Sequence, residues 1–401
     1  MLKGKRVVLG VTGSIAAYKI ANLASALVKL RADVHVIMTK NATNFINPIT
    51  FETLTKNKCI VETFDRNFVH EVEHVSLADS ADIMMIAPAS ANIIAKMANG
   101  IADDMLSTTY LAMRCPVIVA PAMNVNMYNN PIVQDNIEKL KKYNNIVIEP
   151  NEGYLACGYT GKGKMPEPEE LLSYIIKEIG FEKDLIGKKI LITAGPTREA
   201  IDPVRFITNH STGKMGYAIA EMAMLRGADV TLVSGPVNIK KPGFVKSINV
   251  VSARDMFEAV KSNYEDMDVI IKTAAVADYT PLDKKDEKIK KSENDSDLNI
   301  KLERTTDILN WLGHNRKEGQ IICGFSMETQ NMLENSKKKL EKKNADIIAA
   351  NSLRDTGAGF GTDTNHLVLI KKDGIKDLPL MSKRDAASAL LDEIKLLMEH
   401  K

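Results

Sequence analysis

His70-Glu71-Val72-Glu73-His74 carries two histidines at the spacing with which zinc peptidases hold their metal. A zinc site needs both rings on one face of a sustained helix and a third ligand. This segment is short, lies between Asp65-Arg66-Asn67 and a predicted helix Val75–Ser80, and is followed by no third-ligand pattern, which disfavours zinc hydrolysis. His74 is then either a residue at a helix start or a proton-transfer group, since imidazole titrates near neutrality. Gly10-Val11-Thr12-Gly13-Ser14 is a second candidate. Its glycines let a ligand approach the backbone, and the free N–H groups of a following helix suit a phosphate. The run is not G-x-G-x-x-G, which favours a mononucleotide over a dinucleotide. Pro88-Ala89-Ser90-Ala91-Asn92 and Pro121-Ala122-Met123-Asn124 follow apolar runs in the same way, and Ser90 could cap a helix while facing a ligand. Cys157 stands in a glycine-rich stretch where a buried structural thiol is unexpected. Further on, Ser211-Thr212-Gly213-Lys214 reads as an anion site at a helix start or as a simple cap. Lys288-Ile289-Lys290-Lys291, and Lys339 with Lys343 on one helix face, suit a polyanion or a solvated surface.

The elements that must position these residues follow from hydrophobic periodicity. Lys5–Leu9, Asp33–Met38, Asp82–Ala87, Pro116–Ala120 and Asn145–Ile148 read as strands, and Ile15 to Leu30 has helical spacing. Wholly apolar runs alternating with helices predict a doubly wound parallel sheet. Three turns at the carboxyl ends of its strands would converge on one crevice. The Gly- and Pro-rich segment Asn151–Pro168 is expected to be a long functional loop, followed by a helix Glu169–Ile179 and a domain boundary near Ile186–Gly187. A second α/β pattern then begins, with strands at Lys189–Thr193, Asp229–Val233, Ile248–Val251, Val269–Thr273, Ile321–Phe325 and Asp346–Ala350. A helix from about Lys214 to Arg226 closes at Gly227, and an amphipathic helix starts at Lys383. Asp283–Asp297 is dense in charge and expected to be a mobile loop, and Gly357–Gly361 a strand connection. The fold class is α/β: two doubly wound, Rossmann-like domains, residues 1–186 and 187–401.

Composition sets bounds. The 401 residues are 45% hydrophobic and 26% charged, with a formal net charge of +2, too small to argue for nucleic acid or a membrane surface. No apolar run is long enough to span a bilayer, and Met1–Lys5 does not read as a secretory leader. Cys59, Cys115, Cys157 and Cys323 form no C-x-x-C pair, so a reducing cytoplasm is expected.

The residues of the first half resemble the flavin-containing cysteine decarboxylases over residues 5–180. The likeness rests on His74, Pro88–Asn92, Pro121-Ala122-Met123-Asn124-Val125-Asn126-Met127-Tyr128, and Ala156-Cys157-Gly158-Tyr159 with Lys164-Met165-Pro166-Glu167. It implies FMN held by Gly13, Ser14, Thr39, Ser90 and Asn92, in a trimer. It also implies His74 as active-site base, Asn124 as the group holding the substrate carboxylate, and Cys157 as proton donor. The chemistry is coherent, since a carboxylate beside an amide-bearing carbon has no electron sink until its thiol is oxidised to a thioaldehyde.

The second half resembles phosphopantothenoylcysteine synthetase over about residues 187–398. The matching runs are Thr208–Gly216, Ala274-Ala275-Val276-Ala277-Asp278-Tyr279, the lysines from Lys288, Gly324-Phe325 with Glu328-Thr329, and Ala350-Asn351. Thr212 stands where Ser is usual, and Thr306 where Pro is usual. The resemblance implies CTP with Mg²⁺ activating 4'-phosphopantothenate as an acyl-cytidylate, which the amine of L-cysteine then attacks. Lys288 would stabilise charge on the α-phosphate, Asn209 would position the acyl group, and Ser211, Thr212 and Gly213 would hold substrate. Ala274, Asp278, Lys288, Thr306, Asp307, Ile308, Leu309, Phe325, Lys339 and Lys343 would line the nucleotide site. Ligands for the divalent ion are not assignable from the sequence. Dimeric ligase and trimeric decarboxylase contacts would build a dodecamer. The rivals are a flavin-binding regulator without chemistry, a zinc peptidase, and an NAD-dependent reductase, for which no acidic ribose-binding residue can be placed.

Overall fold

The computed structural model describes residues 1–64, 73–154, 160–290, 298–328, 330–352, 359 and 361–400. The chain divides into two compact units, Met1–Phe181 and Glu182–Lys401.

The first unit is built on six parallel strands: β1 (Arg6–Val11), β2 (Asp33–Met38), β3 (Cys59–Ile60), β4 (Ile83–Ala89), β5 (Val117–Pro121) and β6 (Ile146–Val147), in the order β3-β2-β1-β4-β5-β6. Side chains alternate across the sheet. Val7, Leu9 and Val11 of β1 therefore join one core layer with Ile20, Leu23 and Leu27 of helix Ile20–Lys29 and Leu171 and Ile175 of helix Pro168–Ile179. Val8, Met84 and Ile86 join the opposite layer with Ile93, Ile94 and Met97 of helix Ala91–Asn99 and with Ile137 and Leu140 of helix Pro131–Lys142. All seven residues of β4 are buried, as a strand covered on both faces requires. The direction of strand addition reverses between β1 and β4, which opens a crevice above their carboxyl ends.

Two segments differ from the sequence expectation. The helix expected from Ile15 opens as a 3₁₀ segment, Ile15–Lys19, before α geometry sets in at Ile20, with Ser14 capping Ala16 N–H. The stretch 151–168, expected to be one loop, contains an antiparallel hairpin of Asn151–Tyr154 with Thr160–Lys164. It lies against the short helix Val125–Tyr128 because Gly161 has no side chain; a Cβ there would stand 2.7 Å from Val125 Cγ2.

The second unit repeats the plan. The strands of its main sheet are β7 (Lys189–Ala194), β8 (Asp229–Ser234), β9 (Lys246–Asn249), β10 (Val269–Lys272), β11 (Ile321–Glu328), β12 (Ile347–Ser352), β13 (Val368–Lys371) and β14 (Gly374–Asp377), in the order β9-β8-β7-β10-β11-β12-β13-β14. The first six in that order are parallel; β13 and β14 add antiparallel, so this sheet is mixed. Here the order reverses between β7 and β10. Helix Lys214–Leu225 packs on the sheet and beneath helix Lys383–Glu399. Arg226, following it, donates to Asp184 at 2.8 and 2.6 Å and to Asp392 at 2.6 Å, joining the start of the unit to its last helix. Leu185 N–H donates to Arg226 C=O at 3.0 Å, which places the polar stretch from Glu182 in this unit.

Candidate functional site

In the first unit, Thr12 fastens the turn after β1 to the turn after β4. Its Oγ1 donates to Pro88 C=O at 2.7 Å and accepts from Ser90 N–H at 3.0 Å. Ala122 N–H donates to Ala89 C=O at 3.0 Å, so the turn after β5 joins them, and Met123 N–H reaches Gly163 C=O at 3.2 Å. Three helix starts thus face one crevice: Ser14 caps 15–19, Ser90 accepts from Ile93 N–H at 3.4 Å, and Asn124 accepts from Asn126 N–H at 2.8 Å. Gly13 passes so close to Asn41 that a Cβ would stand 2.8 Å from Asn41 Cβ. The hydroxyl of Thr39, just after β2, is buried and has no hydrogen-bond partner among the described residues. Since buried hydroxyls are nearly always paired, an oxygen-rich ligand is the natural partner. His74 is the half-buried second residue of helix Glu73–Ser80, and Asn92 is exposed on the first turn of its helix. Cys157 and His70 lie outside the described residues.

In the second unit, a cavity of about 250 Å³ opens where the strand order reverses. Ser211, Thr212 and Gly213 line it from the start of helix Lys214–Leu225, Lys272 and Ala274 from the end of β10, Phe325 from β11, and Lys339 from helix Met332–Lys342. Gly195 and Gly213 adopt positive φ, +76° and +79°, and their loops touch backbone to backbone; a Cβ on Gly213 would lie 3.3 Å from Gly195 Cα. Asn209 donates to Ala275 C=O at 3.0 Å, and Lys339 Nζ to Phe325 C=O at 3.0 Å. Lys343 pairs with Asp307 at 2.6 Å. Burial raises the Asp307 carboxyl, but the Lys343 ammonium and Asn310 N–H outweigh it and hold it below its usual value. Burial, reinforced by the neighbouring Lys339, pushes Lys272 down to about 8, and burial also lowers Lys339.

Known proteins resolve what these two sites belong to. Residues 1–180 match the family described as Flavoprotein, and residues 185–397 the family described as DNA/pantothenate metabolism flavoprotein C-terminal domain. The coenzyme A biosynthesis bifunctional protein CoaBC of Bacillus subtilis (strain 168) is 51% identical over 401 residues, covering 99% of this chain and 98% of that protein. The chain belongs to the family of coenzyme A biosynthesis bifunctional proteins. The protein of the same name from Haemophilus influenzae (strain ATCC 51907 / DSM 11121 / KW20 / Rd) is 44% identical over 393 residues, covering 98% of each chain. A crystal structure of the C-terminal domain of a CoaBC protein is 47% identical, covers 55% of this chain and 100% of that one, and has a TM-score of 0.47. The chain is therefore a bifunctional enzyme of coenzyme A biosynthesis, with a flavoprotein decarboxylase unit followed by a ligase unit.

Against that family assignment, Ser211, Thr212, Gly213, Ala274, Asp278, Phe325 and Lys339 meet in the cavity of the ligase unit. Other residues named from the sequence stand elsewhere. Ile308 and Leu309 are 2% and 3% exposed, with side chains in the hydrophobic core, so only their backbone at the start of helix Ile308–Asn315 can face a ligand. Thr306 is exposed, and Asp307 caps the same helix. Lys288 is exposed and does not line the cavity. Its neighbour Ile289 is anchored to the Asp202–Arg205 turn, donating to Asp202 at 3.1 Å and accepting from Arg205 at 2.9 Å. Residues 283–290 of the expected mobile loop have no regular structure, and 291–297 lie outside the described residues. The sequence reading missed Lys272, Lys383 and Asn365, all of which line the cavity. Lys383 is 8% exposed, and its ammonium is wrapped by carbonyls of Gly359, Thr362 and Thr364. Lys272 ends an otherwise apolar strand, Val269-Ile270-Ile271-Lys272, and that charge was the one available signal. No helix among the described residues is long and apolar enough to cross a membrane.

Proposed function

We propose that the ligase unit joins 4'-phosphopantothenate to L-cysteine, using CTP with Mg²⁺ through an acyl-cytidylate. The decarboxylase unit then converts 4'-phosphopantothenoylcysteine to 4'-phosphopantetheine with FMN. One observation carries the ligase half: seven residues from four distant segments, singled out for that reaction, meet in one cavity at the strand-order reversal. For the decarboxylase half, the unpartnered Thr39 hydroxyl and the side-chain-free approach at Gly13 support a bound FMN beside Ser14, Ser90 and Asn92. FMN supplies a two-electron acceptor and donor for the substrate thiol.

The chain's own residues do the rest. His74, the second residue of helix Glu73–Ser80, takes up the proton that leaves the substrate. Asn124, fixed by its cap on Asn126, orients the substrate carboxylate. Cys157 returns a proton to the carbon that has lost CO₂. In the ligase unit, Asn209, tied to Ala275, positions the acyl group, and the family resemblance alone assigns Lys288, which does not line the cavity, to the charge that grows on the α-phosphate. The lysines of the cavity favour the triphosphate. Trimeric decarboxylase and dimeric ligase contacts, forming a dodecamer in the cytoplasm, complete this reading.

The test incubates the protein with phosphopantothenate, cysteine, Mg²⁺ and either CTP or ATP, and weighs the products. Phosphopantothenoylcysteine, CMP and then phosphopantetheine are expected with CTP. A colourless protein that releases no CO₂ from phosphopantothenoylcysteine when FMN is added refutes the decarboxylase half. His74→Asn should stop CO₂ release and leave ligation intact; equal loss of both contradicts two separate sites.

A further inference from the structure

The charged residues lining the ligase cavity are Lys214, Lys272, Lys339, Lys383 and Asp278. Two of these lysines are already answered. Lys214 pairs with Asp363 at 2.7 Å and also donates to Gly361 C=O at 2.7 Å, and Lys383 is surrounded by the carbonyls of 359–364. Lys272 and Lys339 are not answered in this way. Among the described residues Lys272 makes no ion pair, and Lys339 donates only to a neutral carbonyl, Phe325 C=O.

Of the nearby carboxylates, Asp307 and Glu328 are engaged elsewhere, while Asp278 faces the same cavity and acts on both lysines without an ion pair to either among the described residues. Asp307 is paired with Lys343 at 2.6 Å. Glu328 accepts from Ser326 at 2.9 Å and from Asn335 at 3.2 Å. The groups that act on Lys272 are Lys339 from helix Met332–Lys342, Asp307 from the cap of helix Ile308–Asn315, and Asp278 from the loop after β10. Two ammonium groups that repel one another in a half-buried cavity are stable together only with an anion between them or with one proton lost.

We propose that Lys272 is a phosphate-binding residue of the ligase unit, and that with Lys339 it forms a cationic floor for the phosphates of the nucleoside triphosphate. Asp278, Asp307 and Lys339, all expected around the nucleotide, act on Lys272, and Lys343 acts on Lys339, so Lys272 stands among the residues expected at the nucleotide. This rests on the ligase reading above and extends it to a residue that the reading lacked. The lowered affinity of Lys272 for its proton adds a signature. With its pKa at about 8 the ammonium is largely present at pH 7, half titrated near pH 8 and largely lost at pH 9, so triphosphate affinity should fall across that range.

The test measures calorimetric binding of Mg·CTP to the full chain at pH 7 and pH 9, for the wild type, Lys272→Met and Lys272→Arg. CO₂ release from phosphopantothenoylcysteine serves as the control for intact protein. Lys272→Met should weaken binding at pH 7 by about tenfold or more, the size of one charge-assisted contact. Wild-type affinity should fall several-fold between pH 7 and pH 9, and Lys272→Arg should fall less, because guanidinium keeps its charge. Equal affinity of wild type and Lys272→Met at pH 7, or an identical pH decline in wild type and Lys272→Arg, overturns the assignment alone. Failure of the wild type to bind CTP or ATP overturns the ligase reading and this assignment with it.

Discussion

Gly216, in the first turn of helix Lys214–Leu225, is where the ligase cavity depends most directly on a missing side chain. A Cβ there would stand 2.5 Å from Thr273 Oγ1, 2.6 Å from Ala194 Cβ and 3.2 Å from Ala194 Cα. Thr273 cannot easily turn away, because its hydroxyl donates to Thr193 C=O at 2.6 Å, and Ala194 belongs to the buried strand β7. In Gly216→Ala the helix must therefore retreat by about 0.9 Å to restore ordinary contact at 3.4 Å. Two effects on stability oppose each other. Alanine favours the helix by about 1 kcal/mol over glycine, whereas overpacking costs about 1–3 kcal/mol. A net loss of about 0–2 kcal/mol is expected. The site should suffer more, since Ser211, Thr212 and Gly213 move with the helix, and a shift near 1 Å can lower turnover by about 100-fold. The chain's one tryptophan, Trp311, packed edge-on against Phe257 and Tyr264, reports urea unfolding of this unit. Triphosphate-dependent amide formation, set against CO₂ release from the same preparation, reports the site. Unchanged ligase kcat/KM with undiminished stability would refute the packing argument.

Three further outcomes are expected. Thr12→Val removes the hydroxyl that joins Pro88 C=O to Ser90 N–H; loss of about 1–3 kcal/mol and of bound flavin should follow, read by denaturation and by absorbance of the purified protein, whereas full flavin content would contradict the clamp. Arg226→Met leaves Asp184 with only Lys395, at 3.2 Å, and should destabilise the second unit by about 3–5 kcal/mol in urea titrations followed at Trp311; a midpoint matching the wild type would show that the pairs contribute nothing. Acid should act through the same pair. Arg226 holds Asp184 at about 2, below its unfolded value of 3.8, so this stability is present above about pH 4 and is lost as pH falls toward 2. The loss should be at most about 2 kcal/mol and smaller in Arg226→Met, where only Lys395 still lowers Asp184, measured by unfolding at successive pH values.

The local code was legible from the sequence wherever one element explains itself. Apolar runs such as Asp82–Ala87 and Pro116–Ala120 read as strands covered on both faces, and the strands formed are Ile83–Ala89 and Val117–Pro121; Ser90, read as a possible cap, does cap the helix that begins after it. Helix Met105–Ala112 was not legible. It buries Ser107 and Thr109 beside Met105 and Leu106, and Thr109 hides its hydroxyl on Met105 C=O, so no polar stripe marks its outer face. The hairpin in 151–164 escaped because its glycines signal turns equally well, and its pairing depends on distant Val125. The antiparallel strands β13 and β14 escaped for a related reason, since a strand's direction is set by the partner it meets.

For the site, small and hydroxyl residues at a helix start pointed to Ser211–Gly213, while Ala274 and Asp278 came from the family resemblance alone. Lys272 and Lys383 gave no such pattern, and Ile308 and Leu309 turned inward to the core. By itself the sequence determined two α/β units, their family and the turns at the carboxyl ends of the strands. The tertiary structure alone decided which charges share a cavity and which are left without a counterion, because a charge's burial and partner come from chain segments dozens of residues away.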